Sequence, residues 1–250
     1  MIKVCGMREP ENIRAVAQLG VDLIGLIFWP KSKRYVRNIP VRAGIVPDQP
    51  SISMSSACEV KSVTSVAEAK SSDIPSAGEA KRQNNRKPAI VGVFVNEMPQ
   101  TVITHAYNYC LDYLQLHGSE SATYIDNLRR TLVPDILPNV KFIKAISVRE
   151  ASDIAQWRQY QGHADMLLFD TKCKSVGGSG EHFDWSVLES YDGDIPFLLS
   201  GGIGPDDAEA LLHFRHPQCV GYDLNSRFEE APGVKDIDKL RQFLSAIRQR

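Results

Sequence analysis

The sequence predicts an α/β protein of the (β/α)8, or TIM-barrel, class that folds as one domain over residues 1–250. Short apolar runs recur eight times, and amphipathic stretches of helical periodicity separate almost all of them. The runs are apolar on both faces, which is typical of parallel strands covered by helices. A chain of 250 residues also has the length of such a barrel. An open doubly wound sheet is the alternative, but it rarely needs eight units in so short a chain.

The predicted elements alternate from the first residues onward. The first strand, "IKVC", precedes an amphipathic helix with Ile13 and Val16 on its apolar face, and Gly20 ends that helix. The later strands are "VDLIGLIF", "AIVGVFV", "YLQLHG", "KFIKAISV", "DMLLFD", "IPFLLSGG" and "CVGYDLNS". The later helices cover Pro99–Cys110, Ser121–Leu132, Glu150–Gln161, a short stretch from Asp184, "PDDAEALLHF" and the closing stretch 234–250.

One segment interrupts this alternation. Residues 43–88 stand where the second helix is expected, contain no Phe, Tyr or Trp, and are rich in Ser, Ala, Glu and Lys. Such a composition buries little apolar surface. We therefore expect a mobile, low-complexity insertion in place of, or around, helix 2.

Composition excludes several classes of function. A formal net charge of −1 gives no reason to expect nucleic acid as a partner, and no apolar run reaches the ~18 residues of a membrane span. No secretory signal pattern is found at the N-terminus, so we expect a cytoplasmic protein. The five cysteines do not stand at metal-binding spacings, and their odd number argues against a disulfide framework. We expect no metal site.

Chemistry in a (β/α)8 barrel lies at the C-terminal ends of the strands. The first strand ends in Cys5, and the sixth ends in Asp170. A thiolate and a carboxyl group that face one ligand can act as proton acceptor and proton donor. The structural alternatives are a small buried hydrophobe for Cys5 and a loop cap for Asp170.

The last two strand ends predict a phosphate site. Gly201 and Gly202 allow close backbone approach, and the helix that follows offers N–H groups with partial positive charge. Asn225 and Ser226 add donors from the neighbouring loop. Phosphate commonly binds between the loops after strands seven and eight of such barrels. Alone, the glycines could simply make a tight turn.

Two further polar residues follow strand ends. Arg34 offers a forked cation that suits a carboxylate, although a solvated surface arginine has the same local sequence. His117, in "QLHG", fits a structural or ligand-positioning role better than that of a catalytic base.

Several motifs together resemble one family. "KVCGM", "GLIFWPKSKRYV", "VGVFVN", "LQLHG", "LLFDT", "GGSGEHFDW" and "LLSGGI" are similar in order and spacing to the phosphoribosylanthranilate isomerases of tryptophan biosynthesis. The resemblance covers nearly the whole chain except residues 43–88. It implies an Amadori rearrangement of N-(5'-phosphoribosyl)anthranilate to 1-(2-carboxyphenylamino)-1-deoxyribulose 5-phosphate, without cofactor or metal.

The resemblance also implies roles for single residues. Cys5 matches the general base that removes the proton from C2' of the sugar, and Asp170 matches the general acid that protonates the ring oxygen. Arg34 matches the residue that holds the anthranilate carboxylate, and the two glycines with the "DLNS" loop match the phosphate cradle. We count His117 and Asp223 among the substrate-binding residues. The expected partner is a small phosphosugar, and the expected state is monomer or homodimer.

Three other functions are alternatives to this isomerase activity. Indole-glycerol-phosphate synthesis, on the same barrel, would require a catalytic lysine at a strand end, and none of the predicted strands ends in one. A barrel that only binds a phosphosugar would not need both Cys5 and Asp170. A cysteine enzyme with a covalent intermediate would require a histidine partner for the thiol, and His117 is the strand-end candidate.

Overall fold

Eight parallel strands close into a barrel in the computed structural model, which describes residues 1–37, 87–171 and 185–248. Each strand pairs with its neighbour in the sequence, and β8 pairs back to β1, so the predicted (β/α)8 fold is confirmed. The strands are β1 Ile2–Val4, β2 Leu23–Ile27, β3 Ala89–Phe94, β4 Tyr113–Leu116, β5 Lys141–Val148, β6 Met166–Thr171, β7 Phe197–Ser200 and β8 Cys219–Leu224.

Helices connect the strands and cover the barrel. The described helices are α1 Pro10–Gln18, α2 Pro99–Asn108, α3 Ala122–Leu132, α4 Ala151–Ile154, α5 Ala208–His213 and α6 Ile237–Arg248. Proline stands in the first turn of α1 and α2, where its missing N–H costs no hydrogen bond, and the Ser121 side chain caps α3. Within the described ranges, no helix is long and apolar enough to span a membrane.

The expected insertion lies almost entirely outside the described residues, which resume at Lys87. The assignment of one domain with a mobile insertion at residues 43–88 therefore stays a prediction.

The core has two layers because side chains alternate along each strand. The inner layer fills the barrel with Cys5, Leu23, Val91, Val93, Ile143, Ala145, Met166, Leu168 and Leu198. The outer layer packs the strands against the helices with larger side chains, among them Phe94, Phe142, Phe169 and Phe197. Continuing the inner series beyond the packed layer places Asp170 at the open rim.

Two of the predicted helices are wholly or partly 3-10 helices. The stretch Glu150–Gln161 is a single α-turn, α4, followed by a 3-10 helix at Ala155–Tyr160. Trp157 and Tyr160 are both buried, and their spacing of three residues suits the threefold repeat of a 3-10 helix. The helix expected near Asp184 is a 3-10 helix at Trp185–Ser190.

The start of the closing helix was predicted wrongly. Val234–Lys235 form a short strand, β10, paired antiparallel with β9, Glu229–Ala231. Gly233 makes the turn between them with φ +88°, a conformation that other residues rarely adopt. The helix α6 begins only at Ile237. This hairpin lies directly after β8 and carries two ionic side chains to the rim.

A buried ion pair holds the loop after β4. Lys144 of β5 contacts the Glu120 carboxylate at 3.1 Å and donates to the carbonyls of Leu116 and Gly118. The same carboxylate accepts the amides of Asn96 and Gly118. Both ionic side chains are 2% exposed. The loop that carries His117 is thereby tied to β3 and β5.

Replacing Lys144 by methionine is expected to lower the free energy of unfolding by about 3–5 kcal/mol, because it leaves the Glu120 charge buried without its cation. Lys141→Met is the matched control, since Lys141 lies on the same strand and is exposed. Urea unfolding of both variants measures the difference. Equal losses would contradict the structural role of the Lys144–Glu120 pair.

Candidate active site

The closure of the barrel positions Cys5. Its amide donates to the carbonyl of Leu224 on β8 at 2.9 Å, which fixes the end of β1 against the last strand. Gly6 then turns the chain with φ +74°. The thiol side chain belongs to the inner layer, and the residue is only 4% exposed.

A glycine on the neighbouring strand makes room for this thiol. A Cβ atom on Gly25 of β2 would lie 2.7 Å from the Cys5 sulfur and 3.1 Å from its Cα. Real Cβ atoms do not approach a neighbour that closely, so any larger residue would displace Cys5. The position of the thiol therefore depends on Gly25, which is distant from Cys5 in the sequence but adjacent to it in space.

A second buried ion pair lies beside Cys5. Lys3 precedes it by two residues on β1 and points to the same side of the sheet. The Lys3 ammonium contacts the Asp223 carboxylate at 2.9 Å, and Ser200 donates to the other carboxylate oxygen at 3.4 Å. Lys3 is completely buried, and Asp223 nearly so. Asp223 was predicted to bind substrate, and that role stays a prediction.

Burial raises the pKa of the Cys5 thiol above its ordinary value, since a thiolate loses hydration there. The positive charges of Lys3 and Lys235 oppose this rise, and the negative charge of Asp223 adds to it. Burial alone would lower the pKa of Lys3, but Asp223 and Cys5 raise it. Lys3 therefore keeps its charge beside the sulfur.

Asp170 is held by a short polar chain. The Gln115 amide nitrogen lies 2.8 Å from His117 Nδ1, and His117 Nε2 lies 3.3 Å from Asp170 Oδ2. With the Gln115 NH2 group as donor, Nδ1 accepts, and the tautomer that carries its proton on Nε2 directs that proton at Asp170. The structure thus brings His117 and Asp170 together on neighbouring parts of one rim.

Arg34 is paired with a carboxylate that sequence analysis did not single out. Its guanidinium donates to Glu229 through Nε at 2.7 Å and Nη2 at 2.5 Å. Lys235 contacts the same carboxylate at 2.7 Å. The β9–β10 hairpin therefore reaches the Arg34 loop that follows β2.

Two glycines shape the predicted phosphate site. Gly201 and Gly202 have φ angles of +102° and +69°. A Cβ on Gly201 would lie 1.9 Å from the carbonyl oxygen of Thr171, whereas a Cβ on Gly202 would meet nothing within 4 Å. The first glycine lets β6 and β7 approach, and the second borders open space. The amides of Gly202 and Ser226 have no hydrogen-bond partner among the described residues.

The structure changes two details of this site. A 3-10 turn, Pro205–Asp207, follows β7, and the Gly204 amide already donates to the Asp207 carboxylate at 2.6 Å. This N–H group, which was predicted to be available to a phosphate, is therefore already bonded within the protein. Asn225 accepts the Lys235 ammonium on its side-chain oxygen at 2.8 Å, which leaves its NH2 group as the donor for a ligand.

Comparison with known proteins identifies the family. Residues 46–246 match the family model described as N-(5'-phosphoribosyl)anthranilate (PRA) isomerase. The N-(5'-phosphoribosyl)anthranilate isomerase of Parabacteroides distasonis is 42% identical over 247 residues, covering 99% of this chain and 93% of that protein. This chain belongs to the phosphoribosylanthranilate isomerase family. The corresponding isomerase of Phocaeicola vulgatus is 36% identical and covers 100% of this chain and 98% of its own.

Solved structures of the family have the same barrel. A phosphoribosylanthranilate isomerase in complex with reduced 1-(o-carboxyphenylamino)-1-deoxyribulose 5-phosphate superimposes with a TM-score of 0.66 at 26% identity, covering 100% of this chain and 98% of its own. The Thermotoga maritima isomerase gives 0.66 at 27% identity with the same coverage. Another structure from that organism is of monomers generated from the dimeric isomerase. The family and the isomerase class predicted from the motifs are confirmed.

Sequence analysis of this phosphoribosylanthranilate isomerase family member missed four polar or small residues of the rim. They are Lys3, Gly25, Lys235 and Glu229. Lys3 carried a signal, because a lysine inside a buried strand needs a partner. Glu229 lies in a run of charged and small residues and has no such signal. Within the described part of the chain, no three His, Cys, Asp or Glu side chains are grouped to hold a metal ion.

Alkylation of Cys5 in this family member is expected to require unusually high pH, because burial raises its pKa and only the thiolate reacts. Mass spectrometry of each cysteine peptide after brief iodoacetamide treatment gives the midpoint for Cys5 separately. Cys5→Ser confirms the peptide assignment. A midpoint at or below the ordinary thiol value of about 8.5 would show that the two lysines outweigh burial and would contradict the raised pKa.

Proposed function

We propose that this chain converts N-(5'-phosphoribosyl)anthranilate to 1-(2-carboxyphenylamino)-1-deoxyribulose 5-phosphate, with Cys5 as general base and Asp170 as general acid. The observation that carries the proposal is the placement of these two groups at one barrel rim. Cys5 lies beside two ammonium groups, and Asp170 Oδ2 lies 3.3 Å from Nε2 of His117. Family membership gives the substrate class.

The acid acts first in this scheme. Asp170 in its protonated form gives its proton to the ring oxygen as the bond from C1' to that oxygen breaks. The nitrogen lone pair forms the C1'=N double bond of a protonated Schiff base. His117 binds one carboxyl oxygen of Asp170, which supports the other oxygen as the one that carries and delivers the proton.

The base acts second. The Schiff base makes the C2' hydrogen acidic, and the Cys5 thiolate removes it. The electron pair of that C–H bond forms C1'=C2' and neutralises the nitrogen. The resulting enol becomes the ketone when its hydroxyl proton passes back to the Asp170 carboxylate and C1' takes up the proton held by the Cys5 thiol, so both side chains return to their starting forms. Every atom and electron pair stays within substrate and side chains, so the rearrangement calls for no cofactor, metal or redox partner.

The charges around Cys5 support its role as a base. A thiolate formed at this buried position faces the ammonium of Lys3 and that of Lys235, and both lower the energy of the anion. Because burial still keeps the pKa raised, turnover should increase with pH below that pKa. The alternative of a covalent cysteine enzyme is less well supported, since both ring nitrogens of His117 contact other residues.

The two ends of the substrate fit the two remaining parts of the rim. The unpartnered amides near Gly202 and Ser226 suit the 5'-phosphate, since backbone N–H groups are good donors to phosphate oxygens. The guanidinium of Arg34 suits the anthranilate carboxylate. A phosphate at β7–β8 and a carboxylate after β2 would place the sugar carbons across the barrel mouth, between the acid and the base.

Wild-type protein is expected to accelerate the loss of phosphoribosylanthranilate fluorescence. Cys5→Ser and Asp170→Asn should each reduce kcat by at least 10²–10⁴-fold, the usual contribution of general acid–base catalysis. Binding of the reduced product analogue should persist in both variants. Cys219→Ser is the matched control, because that thiol lies at the opposite end of β8. An inert wild-type protein, or variants with full turnover, would overturn the proposal.

Gly25→Ala is expected to lower kcat through displacement of the Cys5 thiol, while the affinity for the reduced product analogue changes little. Gly92→Ala provides the control for overpacking, because its Cβ would meet the Leu111 and Phe94 side chains and not the thiol. Turnover and calorimetric binding measure the two effects. Equal kcat values for both variants would show that the thiol does not depend on the space at Gly25.

A further inference from the structure

The Arg34 side chain is anchored at a carboxylate that has very little contact with solvent. The Glu229 side chain is 6% exposed and accepts from four donors of three other residues. Its Oε1 accepts Arg34 Nε at 2.7 Å, Lys235 Nζ at 2.7 Å and the Gly233 amide at 3.1 Å, and its Oε2 accepts Arg34 Nη2 at 2.5 Å. Glu229 is therefore the centre of a buried hydrogen-bond network and not one partner of a surface ion pair.

We propose that Glu229 is a positioning residue that fixes the Arg34 guanidinium so that its remaining edge receives the aromatic carboxylate of the substrate. The inference rests on the proposed function, because the carboxylate belongs to the substrate proposed above.

The donor geometry leaves an edge available. A guanidinium has five N–H bonds in a planar fork. Glu229 takes the Nε proton and one on Nη2. The Nη1 protons and the second proton of Nη2 have no partner among the described residues. One Nη1 proton and the second Nη2 proton form a second bidentate edge, so a ligand carboxylate can bind without displacing Glu229.

The charges also favour a second carboxylate. Glu229 alone would neutralise Arg34 and weaken its attraction for an anion. Lys235 adds a positive charge on the same carboxylate oxygen, so the three side chains together carry one net positive charge. Burial alone would raise the pKa of Glu229, but the hydrogen bonds from Arg34 and Lys235 lower it below the ordinary value. Glu229 therefore stays ionised at neutral pH and keeps its hold on Arg34.

The hairpin that carries Glu229 is itself held in place. Asn12 on α1 exchanges two hydrogen bonds with the backbone of Lys235, both at 2.8 Å. Lys235 Nζ in turn donates to the Asn225 side chain. These contacts connect β10 to the first helix and to the loop after β8. Glu229 is thereby placed on a fixed support and can define one orientation of the guanidinium.

Gly6 supplies the opposite wall for the arginine. A Cβ on Gly6 would lie 2.5 Å from Cδ of Arg34, so the arginine stem passes directly over this glycine. The stem is confined between the turn after Cys5 and the carboxylate of Glu229. The guanidinium that is proposed to bind the aromatic carboxylate therefore packs against the turn that directly follows Cys5.

The test compares Glu229→Gln with Glu230→Gln, a matched control on the same short strand that is exposed. We expect Glu229→Gln to raise KM about tenfold or more and to leave kcat within a fewfold, because the group acts through ligand binding and not on the reacting atoms. Calorimetric affinity is measured for the reduced product analogue and for the same compound lacking its ring carboxylate. Only the first should bind more weakly to Glu229→Gln.

Arg34→Met separates positioning from general structural damage. Adding Glu229→Gln to Arg34→Met should cost no further affinity for the carboxylated analogue if Glu229 acts through Arg34. Equal losses for both analogues, additive losses in the double variant, or an unchanged affinity in Glu229→Gln would each overturn the inference. The binding measurements need no turnover, so an inert wild-type protein that shows the predicted pattern would overturn the proposed function alone. A wild-type protein that binds neither analogue would overturn both.

Discussion

The pairing of β1 with β8 is the constraint on which the site depends. This pairing closes the barrel and joins residues that lie about as far apart in the sequence as the chain allows. It sets Cys5 against Leu224, and it places Lys3 of the first strand beside Asp223 of the last. The β9–β10 hairpin follows immediately, so the closure also brings Glu229 to the arginine loop. Without it, the base and its charged neighbours would belong to opposite ends of an open sheet.

Burial gives these charges their effect. Ionic groups interact more strongly where water is excluded, but an unpaired charge there is costly. In this structure Lys3 is paired with Asp223, and Lys235 is paired with Glu229, so each buried cation has an anion beside it. The positive charges of both cations still lower the pKa of the Cys5 thiol. The thiol is thus kept largely protonated in the free protein, while the surroundings are already arranged for the thiolate that the proposed reaction requires.

The fold and the chemical groups at the strand ends could be predicted from local sequence. Apolar runs ending in Cys5 and Asp170 could be recognised because burial and strand length are local properties. The partners of those groups could not, since Asp223 finds Lys3 only when the barrel closes, and nothing near Glu229 distinguishes it from its exposed neighbour Glu230. The first residues of the closing stretch were mistaken for helix because the turn at Gly233 redirects them against β9. Space left by Gly25 is visible only in three dimensions. The assigned site roles themselves stay predictions.

The most direct test of the account is a crystal structure of this chain with the reduced product analogue bound. The account predicts the Cys5 sulfur within about 3.5 Å of C2 of the analogue, as in a near-attack arrangement. It also predicts Asp170 hydrogen-bonded to the hydroxyl that was the ring oxygen, the aromatic carboxylate on the outer edge of Arg34, and the phosphate on the amides of Gly202 and Ser226. A complex with the phosphate at Arg34, or with C2 remote from the sulfur, would contradict the assignment of Cys5 as the base.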